Sequence, residues 1–293
     1  MDLGRVITAM VTPFNNDMSV NYDGAQKLAE HLLDNGTDSL VICATTGENP
    51  TLTHEEKLKM FTAVKEVTKD RAMMIAGTSS YDTAGSVSLT KEAAALGADA
   101  ILAVTPYYNK PPQDGLYAHF SAIAEAADGL PVILYNVPSR TGVNLEAPTV
   151  ARLSKITNIV AVKEASGSLD QASSIRATAE PDFMIYSGDD SLTLPLLSVG
   201  ACGVVSVASQ LVGREIGEMI ASFEKGDNAA ALELHLSLLD IFRKLFICSN
   251  PIPLKYCMNR IGLNVGPCRL PLVECSKEHA AALDKVLQDA GLL

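Results

Sequence analysis

None of the six cysteines in the 293-residue sequence forms a C-x-x-C pair, and no two of its five histidines stand at H-x-H or H-E-x-x-H spacing. A protein-built metal centre and a dithiol redox motif therefore find no support. The cysteines stand at 43, 202, 248, 257, 268 and 275, several inside apolar runs such as "LVICATT" and "FICSN". They read as buried, reduced thiols. No run of 18 apolar residues exists, so no transmembrane helix is expected. "MDLGRVITAM" lacks a basic n-region followed by an apolar h-region, which argues against a signal peptide. Twenty-three basic against 34 acidic residues leave a net charge of −11. That balance argues against nucleic acid or an anionic membrane as a partner. Missing too are a G-x-G-x-x-G after the first apolar run and a G-x-x-x-x-G-K-[ST] loop. A reduced, cytoplasmic, enzyme-sized domain is what these absences leave.

What is present is a repeat of type. Eight short apolar runs recur: "RVITAMVTPF" (5–14), "SLVICATT" (39–46), "AMMIAGTS" (72–79), "AILAVTPYY" (100–108), "PVILYNVP" (131–138), "NIVAVKE" (158–164), "FMIYSGDD" (183–190) and "CGVVSVAS" (202–209). They are rich in Val and Ile and lack polar alternation, as strands covered on both faces do. Helix-like stretches separate them. "THEEKLKMFTAVKEVTK" (53–69) opens with Thr53 and places Glu56 three residues on, a capping box. "DGAQKLAEHLLDNG" (23–36) and "TAGSVSLTKEAAALG" (83–97) end in Gly, a common helix C-terminus. Eight strand-then-helix units predict an α/β fold, a (β/α)8 TIM barrel, over a doubly wound open sheet. Residues 211–225 read as the last barrel helix, and "KGDN" (225–228) breaks the pattern. Helical stretches at 229–247, 249–263 and 276–293 then form a C-terminal helical extension. The expected organisation is a catalytic barrel over 1–225 with 226–293 packed on it.

In such barrels the chemistry gathers at the C-terminal strand ends. Those ends here carry Thr45 and Thr46, Tyr107 and Tyr108, Tyr135 with Arg140, Lys163, Ser187 to Asp190, and Ser206. A lysine amine can form a Schiff base with a ketone, but only unprotonated. The apolar approach "IVAV" to Lys163 would desolvate the amine and lower its pKa. Tyrosine and threonine hydroxyls could relay the protons of imine formation, and Arg140 could clamp a carboxylate. Each has a plainer reading. Lys163 could pair with Glu164 or a neighbouring acid at the barrel rim, Tyr107 and Tyr108 could be packing, and Thr45-Thr46-Gly47 could be only a turn. Arg140 could sit in a surface ion pair. Asp189 and Asp190 read as rim structure. The convergence on one rim favours the functional reading.

Five segments carry a resemblance: "ATTGENPTLTHEE" (44–56), "VTPYYNKP" (104–111), "YNVPSRTG" (135–142), "VKEASG" (162–167) and "SGDD" (187–190), followed by "NPIPLK" (250–255). They resemble the motifs of the dihydrodipicolinate synthases, pyruvate-dependent class I aldolases of the lyase class. The resemblance implies Lys163 as the Schiff-base lysine for pyruvate and Tyr135 as its acid/base. Thr45 would link Tyr135 to Tyr108, which reaches in from the neighbouring subunit of a tight dimer, two dimers making a homotetramer. Thr46 would hold the pyruvate carboxylate, and Arg140 that of L-aspartate 4-semialdehyde. Gly188 and Val205 would line the pyruvate pocket through backbone groups. No cofactor or metal is implied. Ala44 departs from the family, which usually shows Gly there.

The implied product feeds diaminopimelate and lysine biosynthesis. N-acetylneuraminate lyase and the sugar-acid aldolases share the lysine and tyrosine. They commonly show Ser-Thr at the Thr45-Thr46 positions and lack the "SRTG" arginine, so Arg140 favours the semialdehyde. A non-catalytic keto-acid-binding relative is disfavoured because Lys163 and Tyr135 are both present. Some members bind lysine as an inhibitor at the dimer interface. The positions matching that regulatory site read Asn49, Pro50, His54, Lys57, Tyr81 and Gly85, beside Tyr107. Gly85 replaces an acidic residue and Lys57 adds a cation, which predicts insensitivity to lysine.

Overall fold

The computed structural model describes residues 3–293; positions 1 and 2 of the expected 1–225 segment lie outside the described residues. All eight apolar runs contain strands: β1 (Val6–Ala9), β2 (Ser39–Ile42), β3 (Met73–Gly77), β4 (Ala100–Val104), β5 (Val132–Asn136), β6 (Ile159–Glu164), β7 (Met184–Ser187) and β8 (Gly203–Ser206). They follow one another in a closed barrel, and the paired strands run parallel. Helices fill the intervals: α1 (Tyr22–Asp34), α2 (His54–Thr68), α3 (Thr83–Ala95), α4 (Gln113–Ala126), α5 (Pro138–Thr141), α6 (Ala147–Leu153), α7 (Leu169–Thr178), α8 (Thr193–Leu197) and α9 (Ser209–Glu224). Beyond the barrel lie α10 (Asn228–Lys244), α11 (Ile252–Arg260) and α12 (Lys277–Asp289).

Strand burial explains the unbroken apolar runs. Every residue of β1, β2, β5 and β8 is buried, since one side packs into the barrel and the other against helices. Helix ends follow the local chemistry. The expected capping box exists: the Thr53 hydroxyl accepts from the Glu56 N–H, and the Glu56 carboxylate accepts from the Thr53 N–H. Asn21, Asp82 and Asp227 cap α1, α3 and α10 with the side chain alone, each accepting from backbone N–H groups of the first turn.

Register positions the chemistry. Between β5 and β6, Tyr135 pairs with Lys163 and Asn136 with Glu164. Side chains alternate across a strand, so Tyr135 and Lys163 share one face and Asn136 and Glu164 the other.

By contact the chain divides into two compact units, one comprising residues up to Ala72 with Ser206–Leu293, the other Met73–Val205. In the first unit α10 packs on α9, and α12 on α10 and α11. The C-terminal residues also hold the loop that follows β2. The Lys255 ammonium lies 2.6 Å from the Glu48 carboxylate, both buried. Arg269 donates its backbone N–H to Glu48 and its guanidinium to Glu56 and to the carbonyls of Thr51 and Met18. Removing one partner of such a buried pair typically costs about 3–5 kcal/mol. These bonds are why the C-terminal helices group with the first two βα units.

Candidate active site

Lys163 is the penultimate residue of β6 and is 4% exposed. Burial lowers its pKa from 10.5 to about 8, with Asp190 pulling it up and the Arg140 guanidinium pushing it further down. A useful fraction of the amine is therefore neutral near physiological pH. Its Nζ stands 4.2 Å from the centre of the Tyr135 ring. The pairing with Glu164 is not what the structure holds. Glu164 faces the helix layer, where its carboxylate accepts from Gln171 Nε2 (2.9 Å), Asn136 Nδ2 (3.2 Å) and the Ser166 N–H (2.6 Å). Alternation along one strand thus separates the reagent from the neighbour that would have neutralised it.

The same unit supplies the surroundings of Lys163. Tyr135 is buried at the end of β5, and Val205 is buried in β8. Gly188 follows β7, and its N–H donates to the Glu164 carbonyl (2.8 Å). A Cβ there would stand 2.6 Å from Ala165 Cβ and 3.2 Å from Lys163 Cγ, so any larger residue displaces the lysine's support. Arg140 lies exposed on α5. Among the described residues its guanidinium has no hydrogen-bond or ion-pair partner, unlike the surface ion pair that was its plainer reading. Asp189 is rim structure as expected, accepting from the Ser191 N–H and hydroxyl. Asp190 is more than that. It is 2% exposed and favours the charged form of Lys163.

The β2–α2 loop carries the threonines. Thr45 is half-buried; Thr46 is buried and accepts a hydrogen bond from Asn250 Nδ2 at 2.9 Å. The Glu48 N–H donates to the Thr45 carbonyl, and Glu48 itself takes the left-handed conformation at φ +55°. Gly47 fits because a Cβ would approach Met10 O and Cys43 N at 3.2 Å. The loop is therefore a turn, but one tied to the C-terminal region at Thr46 and at Glu48.

Tyr108 is 91% exposed and has φ +75°, a costly conformation for an aromatic residue. Tyr107 is half-buried and meets Tyr81 edge to face, with ring centres 5.4 Å apart. Of the positions matching the lysine site, Pro50, His54, Tyr81 and Gly85 are exposed and Asn49 and Lys57 half-buried. The Gly85 N–H donates to Asp82, whose carboxylate is occupied capping α3. Burial lowers the pKa of Lys57.

Residue-by-residue reading missed Asn250, Glu48 and Lys255, and took Asp190 for rim structure alone. A buried polar role for Glu48 and Lys255 was hinted only by their lying inside "TTGEN" and "NPIPLK". All six cysteines are free, as expected, but only Cys43 and Cys257 are buried; the other four are half-buried. Among the described residues no group of three or more His, Cys, Asp or Glu could hold a metal ion. No helix there is long and apolar enough to cross a membrane.

Comparison with known proteins identifies the family. Residues 2–290 match the model of the dihydrodipicolinate synthetase family. A 4-hydroxy-tetrahydrodipicolinate synthase of Thermosynechococcus vestitus is 56% identical over 292 residues, covering 100% of this chain and 99% of that one. A crystal structure of the Cyanidioschyzon merolae enzyme with lysine bound has a TM-score of 0.98 at 48% identity, covering 99% of each chain. The chloride-inhibited Acinetobacter baumannii enzyme complexed with pyruvate has a TM-score of 0.96 at 39% identity, covering 100% of each. The chain belongs to the dihydrodipicolinate synthetase family.

Proposed function

We propose that Lys163 is the Schiff-base lysine of this enzyme, a reading carried by its buried, depressed-pKa amine set against Tyr135 by the β5–β6 register. The enzyme is a 4-hydroxy-tetrahydrodipicolinate synthase, a lyase of lysine biosynthesis, acting on pyruvate and L-aspartate 4-semialdehyde. The neutral Lys163 amine attacks the pyruvate ketone and, with loss of water, gives an imine. Loss of a methyl proton gives the enamine, whose carbon forms the new C–C bond at the aldehyde. The substrate's own amino nitrogen then attacks the imine carbon and closes the ring. That carbon's bond to Nζ breaks, returning the lysine. Tyr135, Thr45 and Tyr108 move the protons. Thr46 holds the pyruvate carboxylate, and backbone groups at Gly188 and Val205 line the pocket of the keto acid. Arg140, exposed and without an acidic partner among the described residues, receives the carboxylate of the semialdehyde. That role also favours the semialdehyde over the longer substrates of N-acetylneuraminate lyase and the sugar-acid aldolases.

The exposure of Tyr108 supports a tight dimer in which a second copy covers it, and two dimers form the tetramer. We place the enzyme in the cytoplasm, working without cofactor or metal. The expected organisation remains a catalytic barrel over 1–225 and a helical region over 226–293. Borohydride reduction with pyruvate, followed by mass spectrometry, should label the peptide holding Lys163. Lys163→Arg should abolish labelling, because arginine stays protonated. A reduced adduct on the same peptide of that variant would refute the mechanism.

A further inference from the structure

We infer that Asn250 is a positioning residue: it commits the Thr46 hydroxyl to donating its proton to the keto-acid carboxylate. The inference rests on the reading of Thr46 as the group that holds that carboxylate. A threonine hydroxyl has one proton and two lone pairs, whereas an amide NH2 can only donate. Asn250 Nδ2 lies 2.9 Å from Thr46 Oγ1 and takes up the acceptor role. The hydroxyl proton must then point elsewhere. Among the described residues no acceptor takes it, although Thr46 is only 3% exposed. A carboxylate, which when ionised only accepts, is the complementary group. Without Asn250 the hydroxyl could turn and offer a lone pair to the anion instead.

Folding alone does not account for Asn250. It is 4% exposed, and its Oδ1 has no hydrogen-bond partner among the described residues. A buried amide that uses only part of its capacity is a net cost, of the kind retained where a group has another task. Its placement is also fixed from both sides. Glu48, two residues beyond Thr46, is paired with Lys255, five residues beyond Asn250. Lys255 further donates to the Pro267 carbonyl at 2.8 Å and lies 4.2 Å from the centre of the Phe14 ring. The Asn250–Thr46 bond and the Glu48–Lys255 pair are two struts between one loop and one helix start. The C-terminal region thereby sets a hydroxyl of the substrate site, which makes it part of the binding machinery rather than a cover for the barrel.

The test compares Asn250→Ala, Asn250→Asp, Thr46→Val and the Asn250→Ala/Thr46→Val double variant in the full-length enzyme. Steady-state kinetics with pyruvate are read beside borohydride trapping at saturating pyruvate. Asn250→Ala should raise the pyruvate KM about tenfold, the value of one hydrogen bond to a charged group, with kcat changed less than about twofold and trapping intact. Asn250→Asp, nearly isosteric and usable if the alanine variant does not fold, should raise KM further. Its carboxylate accepts the Thr46 proton and turns it from the substrate. In the Thr46→Val background Asn250→Ala should add nothing, an outcome that a purely structural Asn250 would not give. Additive KM effects, or a normal KM in Asn250→Asp, would overturn the inference while leaving Thr46 as the carboxylate holder. A normal KM in Thr46→Val would instead remove the reading beneath it.

Discussion

Lys163→Met should make the protein more stable while abolishing turnover. Burial holds the Lys163 pKa at about 8 against 10.5 for a solvated amine. At about 1.4 kcal/mol per tenfold change in proton affinity, the folded state gives up about 3 kcal/mol by carrying the ammonium at pH 7. Methionine has a similar length and no charge to desolvate. Against that gain stands the loss of the cation 4.2 Å over the Tyr135 ring, worth about 1 kcal/mol. The net advantage at pH 7 is therefore about 2 kcal/mol. The sign with pH is fixed by which state holds the proton. Between about 8 and 10.5 the unfolded lysine keeps its proton and the folded one loses it. The wild-type protein thus gains stability as pH rises through that window, and methionine's advantage shrinks to near zero at about pH 10.5, where the unfolded amine also loses its proton. Urea unfolding of both proteins at pH 7 and about pH 10.5, at one protein concentration, measures the difference. A methionine variant no more stable at pH 7, or an advantage unchanged at about pH 10.5, would refute a desolvated amine at this position.

Tyr108→Phe should lower kcat more than it weakens pyruvate binding, and mixing it with an inactive Lys163 variant should restore part of the activity through mixed dimers; equal losses in kcat and binding would make Tyr108 a binding residue. Arg140→Ala should leave pyruvate trapping intact and weaken use of the semialdehyde by about 2 kcal/mol, as for a lost charge-assisted pair; collapse of pyruvate binding with normal aldehyde kinetics would return Arg140 to structure. Lysine at low millimolar concentration should not inhibit, because Gly85 brings no carboxylate and Asp82 is engaged by the Ala84 and Gly85 N–H groups. Clear partial inhibition in a steady-state assay would overturn this expectation.

Much of the fold was legible because its signals are local. A strand buried on both faces must be apolar throughout, and each of the eight runs proved to contain one. The Thr53–Glu56 capping box needs only four consecutive residues, and it formed as read. The order of strands followed from repeat number, since eight parallel units with right-handed crossovers close on themselves. The candidates at the strand ends were legible for the same reason.

The sequence by itself determined the barrel, its rim and the residue types available there, because periodicity and capping act within a few residues. Whether Lys163 would meet Glu164 or Tyr135 was decided only by strand alternation and by the β5–β6 register, which place Tyr135 beside the lysine and turn Glu164 toward Asn136 and Gln171. The amine's depressed pKa is likewise a tertiary property, since desolvation depends on everything packed around the strand. Asn250, Lys255 and Arg269 lie more than 200 residues from the loop they hold, as the separations of 204 for Asn250–Thr46 and 221 for Arg269–Glu48 record. No local pattern couples residues that far apart. Only the packing of the C-terminal helices with the first two βα units brings them to Thr46 and Glu48.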